Sequence, residues 1–284
     1  MLDILHTHIR RSVTERARPT NVGLPTAGVS SRARRWPTRD IWLVPVTLTV
    51  FVVVWQAAIW IVDYPPFILP APVDVVQAGH SVLSDGTLWR HTQATLTEVL
   101  SGLGLGLLAA SLIGYPLAKS RRLERLVAPY LVASQSVPVV AIAPLLVIWF
   151  GSGRLSKVLV CALIVFFPML VNVMLGLRSV PAELRDLMRS LQASHWQTLW
   201  LLEIPAALPL VLGGLRVGVT LAVVGAVVGE LVGADQGLGF MINQARGLFN
   251  TPLVFVAILT LVTITMTLYG VVLALEKRLL RWRA

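Results

Sequence analysis

An all-α, polytopic membrane fold with about six spanning helices is the fold class this sequence predicts, and three observations carry it. Of 284 residues, 56% are hydrophobic and 13% charged, and the mean hydropathy is +0.76. That is far more apolar surface than one water-soluble core of this size needs. Six apolar stretches lie near 41–62, 93–118, 129–150, 156–177, 208–232 and 252–275, each close to the roughly 20 residues that cross a hydrocarbon core of about 30 Å. Short alternating segments of the barrel kind are missing from the sequence. A helix also satisfies its own backbone in lipid, where unpaired polar groups are expensive.

Charge placement orients these spans. With the N-terminus inside, the inner segments hold 19 of the 24 basic residues: eight arginines before Asp40, four residues from Lys119 to Arg125, three from Arg178 to Arg189 and four from Lys277 to Arg283. The outer loops hold Arg90, Arg154, Lys157 and Arg246, and Arg216 lies near the inner start of the fifth span. This asymmetry predicts a multi-pass protein of the cell membrane with both termini cytoplasmic. It also turns the net charge of +10 away from nucleic acid, since the basic residues cluster at span ends, where anionic headgroups attract them. Residues 1–40 read as a basic, disordered cytoplasmic tail without the apolar stretch of a secretory signal, and 41–284 as the transmembrane domain. Cys161 is the single cysteine, so neither a disulfide framework nor a cysteine metal site is expected.

Small residues mark helix packing. Gly102, Gly106, Ala110 and Gly114 recur every fourth residue in the second span. In the fifth, Gly214, Gly218, Ala222 and Ala226 form one row and Gly225, Gly229 and Gly233 another, read as about a third of a turn away. Such rows let backbones approach closely in lipid. One row of the fifth span is expected to pack inside the subunit and the other against a partner chain. Pro116, Pro138, Pro144 and Pro168 are expected to kink or end helices.

The loop 178–207 is polar and helix-patterned. Leu184, Leu187, Met188 and Leu191 fall at i, i+3, i+4 and i+7, one apolar stripe on a short helix. Ser194 and Gln197 form an S-x-x-Q capping box that starts a second helix. Residues 183–209, ELRDLMRSLQASHWQTLWLLEIPAALP, resemble the signature loop of ABC-importer permeases. Glu183, Asp186, Ser190, Leu191, Ala193, Ser194, Trp196, Gln197, Thr198 and Pro205 to Pro209 fit its pattern. Leu187 and Met188 replace small alanines, and Gln192 stands where a turn glycine is usual, a substitution expected to cost of order 1 kcal/mol or to shift the turn.

The resemblance extends to Pro138, Pro144, Leu145, Trp149, Phe150 and Gly151 and to GLGFMINQAR at 237–246, so that it covers roughly 90–284. The chain looks most like the importers of sulfonates, taurine, nitrate and vitamin precursors such as riboflavin or hydroxymethylpyrimidine. The resemblance implies a permease that dimerises, docks cytoplasmic ATP-binding subunits and receives solute from an extracytoplasmic binding protein. It assigns ATPase coupling to Glu183, Asp186, Leu187, Met188, Ser190, Leu191 and Ala193.

No phosphate-cradling G-x(4)-G-K-[ST], G-x-S-x-G or H-E-x-x-H occurs in the sequence. No cofactor, metal or catalytic site is therefore assigned to this chain, and ATP is expected on a separate subunit. Glu98 and Glu230 are the informative ionisable residues within the spans, since an intramembrane carboxylate usually faces a cavity or a partner. They are candidates for the solute path, with Trp149, Phe150, Phe166, Phe167 and Phe240 as ring-stacking candidates. His91 reads as an interfacial residue. Related sulfonate permeases often carry a basic residue where Glu98 falls, and a carboxylate 4 Å from an anion would repel it by about 4 kcal/mol at an effective dielectric of about 20. The preferred solute is accordingly a neutral heterocycle, with a sulfonate or nitrate as the alternative. A secondary transporter or a membrane-embedded enzyme are the readings from other classes.

Overall fold

The computed structural model describes residues 43–63 and 65–283. The tail expected over 1–40 and the first two residues of the first expected span lie outside the described residues. The chain divides into two compact units, residues 1–50 and 51–284. In the first, the described residues are the opening turns of α1 (Leu43–Val62), where the hydroxyls of Thr47 and Thr49 donate to the carbonyls of Leu43 and Pro45 at 2.7 and 2.9 Å. A polar side chain can sit in an apolar helix because it closes its hydrogen bond on its own backbone.

In the second unit every described element is helical. After the rest of α1 come α2 (Pro72–Ser84), α3 (Thr87–Lys119), α4 (Arg121–Gln135), α5 (Val139–Phe150) and α6 (Arg154–Arg178). Then follow α7 (Ala182–Ser190), α8 (His195–Thr198), α9 (Ile204–Gly233), α10 (Leu238–Gly247) and α11 (Thr251–Leu279). Among the described residues, five helical segments are long and apolar enough to span, or six if α4 and α5 are counted together. Asp85 starts α3 by accepting from the Thr87 N–H at 2.8 Å, and that donor holds its carboxyl below the usual range.

The continuous span expected over 129–150 is instead a broken one. Helices α4 and α5 meet at 89° around Ser136–Pro138. Pro138 offers no N–H and disfavours helical backbone at Val137, so the break falls there. Pro116, Pro144 and Pro168, expected to kink or end their helices, lie within α3, α5 and α6.

Helix α6 lies between α3 and α9. Val99, Leu103 and Ala110 of α3 join Cys161, Val165 and Met169 of α6 and Val219, Ala222 and Ala226 of α9 in one buried cluster. Missing side chains allow this closeness. A Cβ at Gly102 would stand 2.2 Å from Cys161 Cβ, at Gly106 2.9 Å from Ala162 O, and at Gly114 3.0 Å from Val173 Cγ1.

On α9, both small-residue rows turn inward, contrary to the expectation that one would face a partner. Gly214 meets Asn172, Gly218 meets Leu103 and Met169, Gly225 meets Cys161, Gly229 meets Lys157, and Gly233 meets Val147 of α5. The reason is helical geometry. At about 100° per residue, Gly225 returns to within about 20° of Gly214, so the two rows form one broad face rather than two. The open side of α9 carries Leu210, Gly213, Val217, Thr220 and Val224.

Candidate functional site

Two groups of residues are candidates for a functional role, one at each end of the bundle. At the first, α7 follows α6 after a short turn, and Arg185 anchors it by donating to the carbonyl of Leu177 at 2.7 Å. Its apolar stripe faces outward. Leu184, Leu187 and Leu191 are 43%, 52% and 67% exposed, while Met188 is half-buried. Glu183 is exposed, Asp186 pairs with Arg189 at 3.0 Å, and the Ser190 hydroxyl donates to the Asp186 carbonyl at 3.0 Å.

The helix ends in a Schellman turn. The N–H of Gln192 donates to Arg189 O at 2.9 Å and that of Ala193 to Met188 O at 3.0 Å, with Gln192 at φ +52°. The turn keeps the left-handed backbone a glycine would take freely, so the strain expected of Gln192 is present and the turn has not moved. The capping box at Ser194 is formed: its N–H donates to Gln197 Oε1 at 2.8 Å, and its Oγ accepts from Gln197 N–H at 3.2 Å. From there α8 runs through a π-helical turn, Leu199–Glu203, into α9.

A groove of about 570 Å³ opens beside this turn, walled by Ser111, Leu112 and Tyr115 of α3, Val173 and Leu177 of α6, and His195, Trp196, Leu199 and Ile204. Lys119, the last residue of α3, reaches Glu203 and forms an ion pair with it.

At the opposite end lies a buried polar cluster. The Thr95 hydroxyl donates to Glu230 Oε1 at 2.6 Å and accepts from the Leu238 N–H at 2.8 Å. Glu230 also accepts from the Gly239 N–H, and His91 Nδ1 accepts from the Gly237 N–H at 3.0 Å. Lys157 donates to the Ser152 carbonyl at 2.9 Å and stands 3.9 Å from Glu98 Oε1.

Together these bonds fasten the start of α10 to α3 and α9. Gly237, at φ +120°, is needed twice over, since a Cβ there would lie 2.2 Å from the Glu230 carboxyl carbon. Glu98 and Glu230, expected along a solute path, are enclosed within the subunit at 2% and 1% exposure. Donors from Thr95 and Gly239 meet Glu230, and Lys157 lies beside Glu98, so both carboxyls have interior surroundings where the sequence suggested a cavity.

The aromatic candidates are dispersed. Trp149 and Phe150 are exposed at the end of α5, Phe166 and Phe167 pack edge to face at 5.0 Å, and Phe240 stacks on His91 at 5.8 Å. None of them lines the groove. His91 is buried within the subunit, and Lys157 is a buried residue of α6 rather than an outer-loop cation. Thr95, Lys119 and Glu203 were not singled out by the sequence. The available signal was the Gly-Leu-Gly at 237–239, which indicates close approach of backbone to another group.

Comparison with known proteins fixes what this arrangement belongs to. Residues 102–281 match the family described as binding-protein-dependent transport system inner membrane component. The chain belongs to this family. It is an ABC-importer permease, a multi-pass membrane subunit that works with ATP-binding and solute-binding partners.

Among its relatives, the riboflavin transport system permease protein of Chloroflexus aurantiacus is 49% identical over 92% of this chain and 98% of its own. The formylaminopyrimidine transport permease protein of Halalkalibacterium halodurans is 37% identical over 81% and 92%, respectively. The taurine transport system permease protein of Escherichia coli is 34% identical over 87% and 92%. The permease also shares its fold with an inward-facing structure of the MetNI methionine ABC transporter, at a TM-score of 0.59 and 18% identity, over 66% of this chain and 94% of that one.

Proposed function

We propose that this permease imports a neutral heterocyclic vitamin or precursor, with riboflavin first among them. The supporting observation is the 49% identity to a riboflavin permease, sustained over almost the whole of both chains. The geometry is compatible with an uncharged solute, since Glu98, Glu230 and Lys157 are buried inside the subunit and do not lie on the open helix faces.

The working assembly is a homodimer with both termini in the cytoplasm, two ATPase subunits below it and a binding protein above. The outward stripe of Leu184, Leu187 and Leu191 fills an apolar groove on each ATPase. ATP closes the ATPases, α7 and α8 move with them, and the path between the two permease copies opens toward the binding protein. The open faces of α3 and α9, with Gly104 and Gly213 free of any close neighbour, are where the copies meet.

A sulfonate is the second reading. It is favoured by a recess where Arg90 and Arg154 converge with Gln93 and Gln236. Uptake of labelled riboflavin, hydroxymethylpyrimidine and taurine into cells carrying the permease with its ATPase and binding protein separates the two. Riboflavin entry supports the proposal, and entry of taurine alone ends it.

A further inference from the structure

We propose that Lys119 and Glu203 are positioning residues that form the transmission strut of this permease, linking the coupling segment to the end of the spanning helix α3. The inference rests on the reading of the loop 178–207 as the segment that docks the ATPase. Its own support is separate and geometric.

The two side chains are 84 positions apart in sequence and meet directly. Glu203 is 1% exposed and Lys119 40%, so a carboxylate is buried while its counterion reaches it from the surface. Tyr115, one turn before Lys119, lies under the ammonium at 5.5 Å from ring centroid to nitrogen and steadies it. The second carboxylate oxygen of Glu203 is buried and has no hydrogen-bond partner among the described residues. Lys119 is therefore what compensates the charge, and separation would leave a carboxylate unpaired in a low-dielectric place.

The position of the pair gives it a task. Glu203 closes the π-helical turn Leu199–Glu203, and Pro205 follows within the first turn of α9. A π-turn followed by a proline is a local weak point in the helical hydrogen-bond ladder, suited to bending. On one side of it the groove separates α3, at Leu112 and Tyr115, from Trp196 and Leu199 of the coupling segment. Apolar walls facing each other across open space transmit a push only after they collide and transmit no pull. The Lys119–Glu203 pair bridges these elements and transmits both, so movement of the coupling segment is passed to the end of α3.

The test uses the complete complex of permease, ATPase and binding protein in proteoliposomes, and reads solute transported per ATP hydrolysed. Lys119→Glu and Glu203→Lys alone are expected to hydrolyse ATP but to lower that ratio by about tenfold, the size of a typical coupling effect, and the double exchange K119E/E203K to restore most of it. A merely structural pair would change the amount of folded complex and leave the ratio intact.

Should a charge-reversed chain fail to assemble, the paired variant Lys119→Gln/Glu203→Gln removes both charges at nearly constant side-chain volume. It is expected to lower the ratio by about fivefold. Unchanged coupling in an assembled variant, or no rescue by the exchange, overturns the strut. A wild-type chain that does not bind the ATPase removes the docking reading and the strut with it, whereas a bound, active ATPase with unchanged coupling in the variants removes the strut alone.

Discussion

Thr95 and Glu230 meet at 2.6 Å inside the bundle although 135 positions separate them, and the same hydroxyl accepts the N–H of Leu238. One threonine thus ties α3, α9 and the start of α10 together. Glu230→Ala removes the acceptor for Thr95 and Gly239 and leaves the neighbouring Lys157 less well compensated. Loss of a buried charged partner is expected to lower stability by roughly 3–5 kcal/mol, and Glu230→Gln by less. Thermal unfolding of the detergent-purified permease checks this, and the first protease cuts should fall in 234–247.

Gly237→Ala should do comparable damage by a different route. The new Cβ meets the Glu230 carboxyl at 2.2 Å, and the residue sits at φ +120°. Steric overlap and backbone strain add, each worth about 1–3 kcal/mol. Gly104→Ala and Gly213→Ala meet nothing within 4 Å in the subunit. They should leave monomer stability unchanged within about 0.5 kcal/mol. If the copies pack through those faces, the alanines instead weaken dimerisation, which light scattering in detergent detects.

Gln192→Gly should stabilise the turn between α7 and α8. Gln192 holds φ +52°, a conformation that costs a side-chain-bearing residue about 1 kcal/mol and a glycine little. Part of the gain is returned as glycine's greater freedom in the unfolded chain. A net gain of about 0.5 kcal/mol is expected, read as a small rise in melting temperature.

These turns show what was legible in the sequence. The Ser194–Gln197 box and the α7 stripe are short-range patterns, in which each residue's partner lies within a turn or two, so spacing alone revealed them. The long spans followed from hydropathy. The 89° break at Pro138 was only half visible, because a proline in a membrane helix can either kink or end it, and neighbouring packing decides which.

The Glu98–Lys157 and Lys119–Glu203 pairs were not legible. Each joins residues far apart in the chain, and a lysine at a span end reads as a headgroup anchor until the fold shows what lies opposite. The inward turn of Gly225 and Gly229 was recoverable from helical arithmetic across the whole of α9, and treating the small residues as two separate rows concealed it.

The outward stripe predicts the ATPase contact. Leu187→Asp places a charge where 52% of the side chain is exposed and an apolar contact is expected, and Glu183→Arg reverses an exposed charge on the same helix. Each should weaken association with the ATPase by about tenfold or more, equivalent to about 1.4 kcal/mol, without loss of folded permease. Co-purification at matched expression measures it.

The most direct measurement is solute uptake by proteoliposomes holding the permease and ATPase, with binding protein outside, ATP inside and all ion gradients collapsed by ionophores. Uptake that needs ATP and both partners and survives the ionophores is the predicted result. Uptake that proceeds without ATP and stops when the gradients are collapsed would contradict it, and would make the chain a gradient-driven transporter.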